Sequence, residues 1–540
     1  MNKNAGLWLG GLFVLFSFNV FAQTYAEEAL FFSRLNPAGS ARIQAMGGAQ
    51  VALGGDYSSA YSNPAGLGFF NRSEATLSLG INSYSSTSSY LGSSTTDSKS
   101  NFNIPGFSLV LHTDKHKGKL VSGNFAISFT RTNNFNQNYT YQGTNSSSSI
   151  IDYFIQQASS YAQPPGQLFY PGDINNPPGD GYNSLPRLAY NTYLIGPNSE
   201  KTLNADSTYY HSYPLDNRTQ TGPVAIKQSE RIQNSGAQNQ WNIAYGVNLN
   251  DFFYLGAGLG VPTINYQSQK VYSESFPQGS LPAGGNLTGF ELDENLHVTG
   301  TGINATIGAI VKPKDFVQFG LSISTPTYYP TLSENYNATL TSVWNNYNFV
   351  DVTHQSKSGN LNGGLRDSIY FQTPFLYSLT TPWRIKAGAT FFIQKRGLIT
   401  AEVEKVNFSK SQFGSNSNTP SDFSGDNAEI KNLFHNVFNF RVGGEYRFSN
   451  FRARLGYNYM PNPYSTSQNN IDNTVTSISA GLGYRSKKYF VDLGFIQTSW
   501  SSSYLPYSRG TVRYSDDVFS PIVTIKNSNI SGMLTVGFIL

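Results

Sequence analysis

The chain has 540 residues, with 36 Lys and Arg against 32 Asp and Glu and a formal net charge of +4. The basic residues are scattered rather than clustered, which excludes the electrostatic footprint of a nucleic-acid binder. There is no Cys, so thiolate metal sites, thiol nucleophiles, disulfides and a lipoprotein anchor are removed together.

Lys3 and an apolar run over 7–21, stopping at Val20-Phe21-Ala22, predict a secretory signal peptide over 1–22. The run is too short for a membrane helix, and nothing downstream supplies the ~18 consecutive apolar residues a spanning helix needs. A helical membrane bundle is therefore excluded. Residues 23–72 show no alternation. Within them 25–35 reads as a helix, with Glu27 and Glu28 in a first turn and Leu30, Phe31 and Leu35 on one side. In Asn63-Pro64-Ala65, Asn63 suits a helix cap and Pro64 a first helical position.

From residue 73 onward the dominant signal is alternation. Phe438, Phe440, Val442, Gly444, Tyr446 and Phe448 share one register, and Asn439, Arg441, Gly443, Glu445 and Arg447 fill the other. One face suits lipid and the other a wet interior. After a Ser449-Asn450 turn, 451–459 repeats the pattern, giving a hairpin. Similar segments lie at 241–249, 253–261, 303–311, 317–323, 383–391, 478–484 and 489–495. Short connections fall at 114–119, 250–251, 312–315, 394–397, 449–450 and 485–488; long polar ones fall at 83–101, 136–239, 267–293, 325–380, 411–434, 461–473 and 501–519. Membrane barrels keep short turns on the periplasmic side and long loops outside. The count gives about fourteen strands.

The last strand puts Leu534, Val536, Phe538 and Leu540 on one face and Met533, Thr535 and Gly537 on the other. It suits pairing with the first strand near 74–84, which removes an exposed edge, and presentation to the barrel-assembly machinery. The expected fold is all-β: a transmembrane antiparallel barrel over 73–540, in contact with outer-membrane lipid and lipopolysaccharide and expected as a monomer. Residues 23–72 are too few for an ordinary domain and predict a plug in the lumen.

Charges in the inward register have opposite signs on adjacent strands: Arg384 and Lys386, then Glu402 and Glu404, then Arg441, Glu445 and Arg447, then Arg452 and Arg454. Cross-strand pairing is expected, with an unpaired Arg as an alternative carboxylate site. Gly256-Ala257-Gly258-Leu259-Gly260 imitates part of a phosphate loop, but it lies inside a strand and reads as barrel packing. His112 and His116 have metal-like spacing without a third ligand. No nucleophile motif is present, so no reaction, metal or cofactor is expected.

The stretch 47–67 reads Gly-Gly-Ala-Gln-Val-Ala-Leu-Gly-Gly-Asp-Tyr-Ser-Ser-Ala-Tyr-Ser-Asn-Pro-Ala-Gly-Leu. It resembles the plug of the FadL/TodX-type outer-membrane transport family, whose mark is an Asn-Pro-Ala motif, here Asn63-Pro64-Ala65. The resemblance continues in Val311-Lys312-Pro313-Lys314-Asp315-Phe316, Gly320, Ser324-Thr325-Pro326, Thr381-Pro382-Trp383-Arg384, Gly388 and 398–409, and is weakest over 136–239. It implies a plugged fourteen-strand barrel that carries long-chain fatty acids or other hydrophobic small molecules. The implied route is capture by outer loops, a pocket beside the plug, and lateral exit at an inward kink of the third strand. In that strand, 119–131, Gly123 is the candidate kink, with an ordinary barrel glycine as the alternative. In the long loop, Ile151, Phe154 and Ile155 (with Ile150) form an apolar helical face, either a landing site for ligand or a local core. Phe31, Phe32 and Leu35 either line the pocket or anchor the plug. A secretion or assembly component, a general porin and an outer-membrane lipid hydrolase remain the alternatives.

Overall fold

The computed structural model describes residues 25–160, 184–197, 210–212, 214–215, 224–277, 281, 286–351, 357–371, 373–394, 396–465, 472–507 and 520–540. The expected leader lies outside these residues. Fourteen antiparallel strands close into a barrel. They are β1 (Glu74–Tyr90), β2 (Ser93–Lys117), β3 (Leu120–Asn134), β4 (Ile226–Leu249), β5 (Phe253–Ser275), β6 (Leu287–Lys314) and β7 (Val317–Ser324). Then follow β8 (Arg384–Ile393), β9 (Gly397–Asn407), β10 (Asn436–Phe448), β11 (Phe451–Met460), β12 (Val475–Arg485), β13 (Tyr489–Tyr504) and β14 (Val523–Ile539). Each pairs with its chain neighbours, and β14 closes on β1 from Glu74↔Ile539 to Ser89↔Thr524. No edge is left at the seam.

Alternation sorts the side chains as expected. On β10, Phe438, Phe440, Val442, Tyr446 and Phe448 are exposed on the outer face, while Asn439, Arg441, Gly443 and Glu445 are buried inside. Leu455, Ile478, Leu482, Phe495 and Phe538 continue this apolar belt on other strands. No described helix is long and apolar enough to cross a membrane. The short turns expected from the sequence all join consecutive strands, and Gly118, Asn250, Asp251, Gln394 and Ser449 supply the positive φ that tight turns need.

The long connections are more regular than expected. Residues 83–101 are not a loop: β1 and β2 run on as one hairpin from Ser83↔Ser100 to Tyr90↔Ser93. Within 136–239 lie a strand (Gln137–Asn145) paired to β4 and helices α4 (Ile150–Ser160) and α5 (Leu185–Asn191). Within 325–380 lie strands Tyr328–Asp351, Lys357–Tyr370 and Phe375–Thr380, the last being the rim of β8. Above a membrane both sheet faces meet water, so hydrophobic alternation fades while the backbone ladder continues.

The N-terminal segment holds α1 (Tyr25–Ser33), α2 (Ala41–Gln44), α3 (Ser59–Ser62) and a 3₁₀ turn (Pro64–Phe69). Its contacts reach strands all round the ring, which places it in the lumen. Ala41 N donates to Thr535 Oγ1 at 2.8 Å, Gly47 N to Ser479 Oγ at 3.1 Å, and Ser322 Oγ to the Ser62 carbonyl at 2.8 Å. Gln50 N and Val51 N both donate to Glu402 Oε2 at 2.9 Å.

Candidate functional site

The plug is seated on a girdle of inward glycines. A Cβ at Gly106 (β2) would lie 2.6 Å from Tyr57 Oη; at Gly246 (β4), 2.5 Å from the Pro64 carbonyl; at Gly320 (β7), 2.7 Å from Ala52 Cα. At Gly443 (β10) it would lie 2.6 Å from Met46 Cβ, and at Gly494 (β13) 2.9 Å from the Ala41 carbonyl. Gly256, in the segment that imitates a phosphate loop, abuts Pro64 and Ala65, and Gly308 abuts the Asn63 side chain. These strands carry glycine in the inward register so that plug backbone can approach barrel backbone.

Asn63-Pro64-Ala65 sits at the centre of this seat. Asn63 Nδ2 donates to the Val51 carbonyl at 2.6 Å, and its Oδ1 accepts from Ala65 N at 3.2 Å while Pro64 opens the 3₁₀ turn. The cap reading of the tripeptide is therefore realised. A buried cluster of Tyr57, Ala60, Leu67 and Phe70 joins the motif's surroundings to Val110, Ala126 and Ala244 on β2, β3 and β4. Asp56 ties the plug to itself, accepting from Ser40 Oγ at 2.7 Å and Ser58 Oγ at 2.6 Å.

The inward charges pair across strands as expected. Arg441 bridges Glu402 and Glu404, each at 2.6 Å, and Arg384 pairs with Glu404 at 3.1 Å. Lys386 stands 3.9 Å from Glu404. Arg454 bridges Glu445 at 2.8 Å and Asp492 at 2.6 Å, while Arg447 and the plug residue Arg42 also reach Glu445. Arg452 instead donates to the Ser449 and Phe451 carbonyls. Carboxylates taken out of water are thus compensated. His112 bonds Asn124 at 2.8 Å and Asp114 at 3.0 Å, and the His116 side chain lies outside the described residues.

At Gly123, the candidate kink, β3 is paired on both sides. Gly123 pairs with Thr113 on β2 and Val247 on β4 within continuous ladders, and Tyr245 Oη fills the space its Cβ would take. A paired glycine keeps both its backbone bonds, so its presence alone does not open a strand. The break lies further toward the loop end. The β2–β3 ladder stops at Gly106↔Thr130, and outward of it the two strands form no further pair. The adjacent β2 residue, Pro105, has no N–H to give, and β2 already slips against β1 there, between Ser78 and Gly80. On β3 the register with β4 shifts between Arg131 and Asn133. The freed segment turns to the plug: Asn36 N donates to the Thr132 carbonyl at 3.3 Å and Asn36 Nδ2 to Asn133 Oδ1 at 2.8 Å. One side-chain contact spans the parted strands, Asn134 Nδ2 to Asn101 Oδ1 at 3.5 Å.

Behind this parting lies a cavity of about 400 Å³ between α1 and the wall. Phe31 lines it and is exposed, stacking on Phe135 with ring centroids 4.7 Å apart and meeting Tyr266 at 5.0 Å. Phe135 immediately follows β3, so this stack couples the plug helix to the end of that strand. Phe32 is fully buried in the packing around α1, and Leu35 borders a separate space of about 30 Å³ with Tyr61 and Arg384. Both border this small space, and neither lines the larger cavity. Ile151 and Phe154 are fully buried with Leu188, Tyr190 and Trp344, and Ile155 packs against them. The structure brings these three into a local loop core, away from the cavity. Sequence reasoning missed Pro105, Arg131, Phe135 and Tyr266; a proline inside a strand was the available signal.

Among the described residues no three His, Asp or Glu side chains converge as a metal site. What the geometry defines is a plugged, antiparallel fourteen-strand barrel with an apolar outer belt and a parted pair of strands beside an internal cavity. Its fold is that of the FadL type. A Pseudomonas aeruginosa FadL homologue aligns with a TM-score of 0.50 at 12% identity, over 93% of this chain and 99% of that one. The Pseudomonas putida toluene transporter TodX gives 0.48 at 11% (93% and 99%), and the Ralstonia pickettii toluene transporter TbuX gives 0.45 at 13% (93% and 99%). No family model and no curated protein matches the chain.

Proposed function

We propose that the protein is an outer-membrane channel that passively admits hydrophobic small molecules, long-chain fatty acids among them. The observation that carries this reading is the parting of β2 from β3 beside a cavity bounded by α1. A purely aqueous pore would oppose such a solute at ~25 cal/mol per Å² of apolar surface. A sideways path through the wall avoids that cost. On this reading the outer loops capture the ligand, the cavity receives it, and movement of α1 and the end of β3 opens the route between Pro105 and residues 131–136 into the bilayer. Asn63-Pro64-Ala65 holds the plug in register with β4, β5 and β6, so the motif positions the gate and does not touch the ligand. Residues 1–22 direct export and 23–72 form the plug.

The test is uptake of labelled oleate by cells with and without the gene. Loss of uptake on deletion, restored by the cloned chain, is the expected result. Unchanged uptake, with a deletion that instead blocks export of secreted proteins, would overturn it.

A further inference from the structure

The charge of the chain is unevenly placed. Its six short turns with their strand ends, 114–119, 250–251, 312–315, 394–397, 447–452 and 485–488, hold twelve Lys and Arg and three Asp, so the rest of the chain is net acidic. The strands they join are antiparallel neighbours, which brings all six turns to one end of the barrel. The acids there are already engaged. Asp315 pairs with Lys312 at 2.8 Å, Asp251 accepts from Asn248 Nδ2 at 2.7 Å, and Asp114 meets His112 at 3.0 Å. Among the described residues Lys115, Lys119, Lys314, Arg396, Lys487 and Lys488 are exposed and have no ion pair or side-chain hydrogen bond. Cations without a partner in the chain favour an anionic one outside it.

Their depth says which. Phe253, Phe391, Phe448, Phe451 and Tyr489 are exposed on the outer face within a few residues of these turns. That is the place of the aromatic girdle marking the edge of the hydrocarbon layer. Lys488 directly precedes Tyr489. A strand residue advances about 3.3 Å, and the headgroup layer beyond the hydrocarbon is about 5–7 Å deep on each side. Lys487 and Lys488 therefore stand at headgroup depth, where a Lys stem lies along apolar surface with its ammonium among phosphates. The free cations also come from separate turns, β2–β3, β6–β7, β8–β9 and β12–β13, spread round the ring. An annulus of lipid meets all of them at once, whereas a docked soluble protein would meet one sector.

We propose that the short-turn end is a docking surface for the headgroups of anionic phospholipid, continuous with the lipid-facing belt. With short turns on the periplasmic side, these are lipids of the periplasmic leaflet. The surface belongs to the wall and does not depend on what the barrel carries.

The test places the full chain in nanodiscs of equal phosphatidylcholine and phosphatidylglycerol, with spin-labelled analogues of each lipid reporting what is held at the wall. At low salt phosphatidylglycerol should be held at least ~3-fold more tightly, and the preference should fall toward equality in ~1 M salt, where charges are screened within ~3 Å. Lys314→Gln, Arg396→Gln, Lys487→Gln and Lys488→Gln together should lose most of the preference while unfolding in urea as wild type does in phosphatidylcholine vesicles. Lys487→Gln with Lys488→Gln, both on one exposed turn, should lower it in part and serves if the fourfold variant does not fold. Equal holding of the two lipids at low salt would overturn the proposal, as would a preference that the variants keep. Equal holding together with capture of polyglutamate by the wild type, lost in the variants, would overturn it in favour of an acidic protein partner.

Discussion

Filling one socket of the glycine girdle tests the seating of the plug. In Gly256→Ala the new methyl meets Pro64 and Ala65 main chain rather than the end of a flexible side chain. Overpacking of this kind costs about 1–3 kcal/mol. Displacing Pro64 also strains the bonds of Asn63 to the Val51 carbonyl and Ala65 N, worth about 1 kcal/mol each at most sites. Against this, replacing glycine lowers the entropy of the unfolded chain, a stabilisation of about 0.4–1 kcal/mol. The net expectation is a loss of about 1–3 kcal/mol, with the plug loosened first. The control is Gly532→Ala on β14, where the methyl meets only Phe495 Cε1 at 3.9 Å, and where a change within about 0.5 kcal/mol is expected. Urea unfolding of both variants in lipid vesicles, with limited proteolysis of residues 25–72 as a local readout, separates the cases. A Gly256→Ala protein that unfolds at the wild-type urea concentration and protects its plug equally would refute the girdle.

Glu402→Ala should cost about 3–5 kcal/mol, because Arg441 loses a 2.6 Å partner and two plug amides lose their acceptor; an urea midpoint near wild type would contradict this. On the outer face, Leu455→Arg should destabilise the protein in vesicles by about 2–4 kcal/mol if it lies near the bilayer midplane, whereas a harmless Arg would mean that β11 does not meet lipid. Burial raises the Glu27 and Glu28 carboxyls to about 7, each from an ordinary value near 4.5. Between those values a released α1 gives up protons that the docked helix keeps, so docking is strongest below about pH 4.5 and weakens as pH rises from there to about 7. Amide hydrogen exchange of α1, corrected for intrinsic rates, should show this, and Glu27→Gln with Glu28→Gln should flatten it.

Much of the barrel was legible because the bilayer imposes a period on the chain. Phe438, Phe440 and Val442 must face lipid while Asn439 and Arg441 face inward, so strands, turns and the closure through Leu534, Val536 and Phe538 could be read directly. The periodicity ended where the membrane's constraint ended: in 83–90 both faces are polar, yet the ladder continues. The charge pairs were legible from sign and spacing because neighbouring strands put them side by side. The early end of the β2–β3 ladder was not, since a strand leaves its ladder when the neighbour lacks a donor, and Pro105 on β2 is as informative as any glycine on β3. Phe154 shows the limit of an amphipathic pattern, which marks a buried face without saying whether a ligand or Trp344 covers it.

The central claim is that solute leaves between β2 and β3. The chain has no native Cys, so Asn101→Cys with Asn134→Cys introduces the only two thiols, at a side-chain contact between β2 and β3 beyond the end of their ladder. Bridging them with a short, reducible bifunctional reagent should abolish uptake of labelled oleate, and reduction should restore it. Undiminished uptake through a fully bridged barrel would contradict the account.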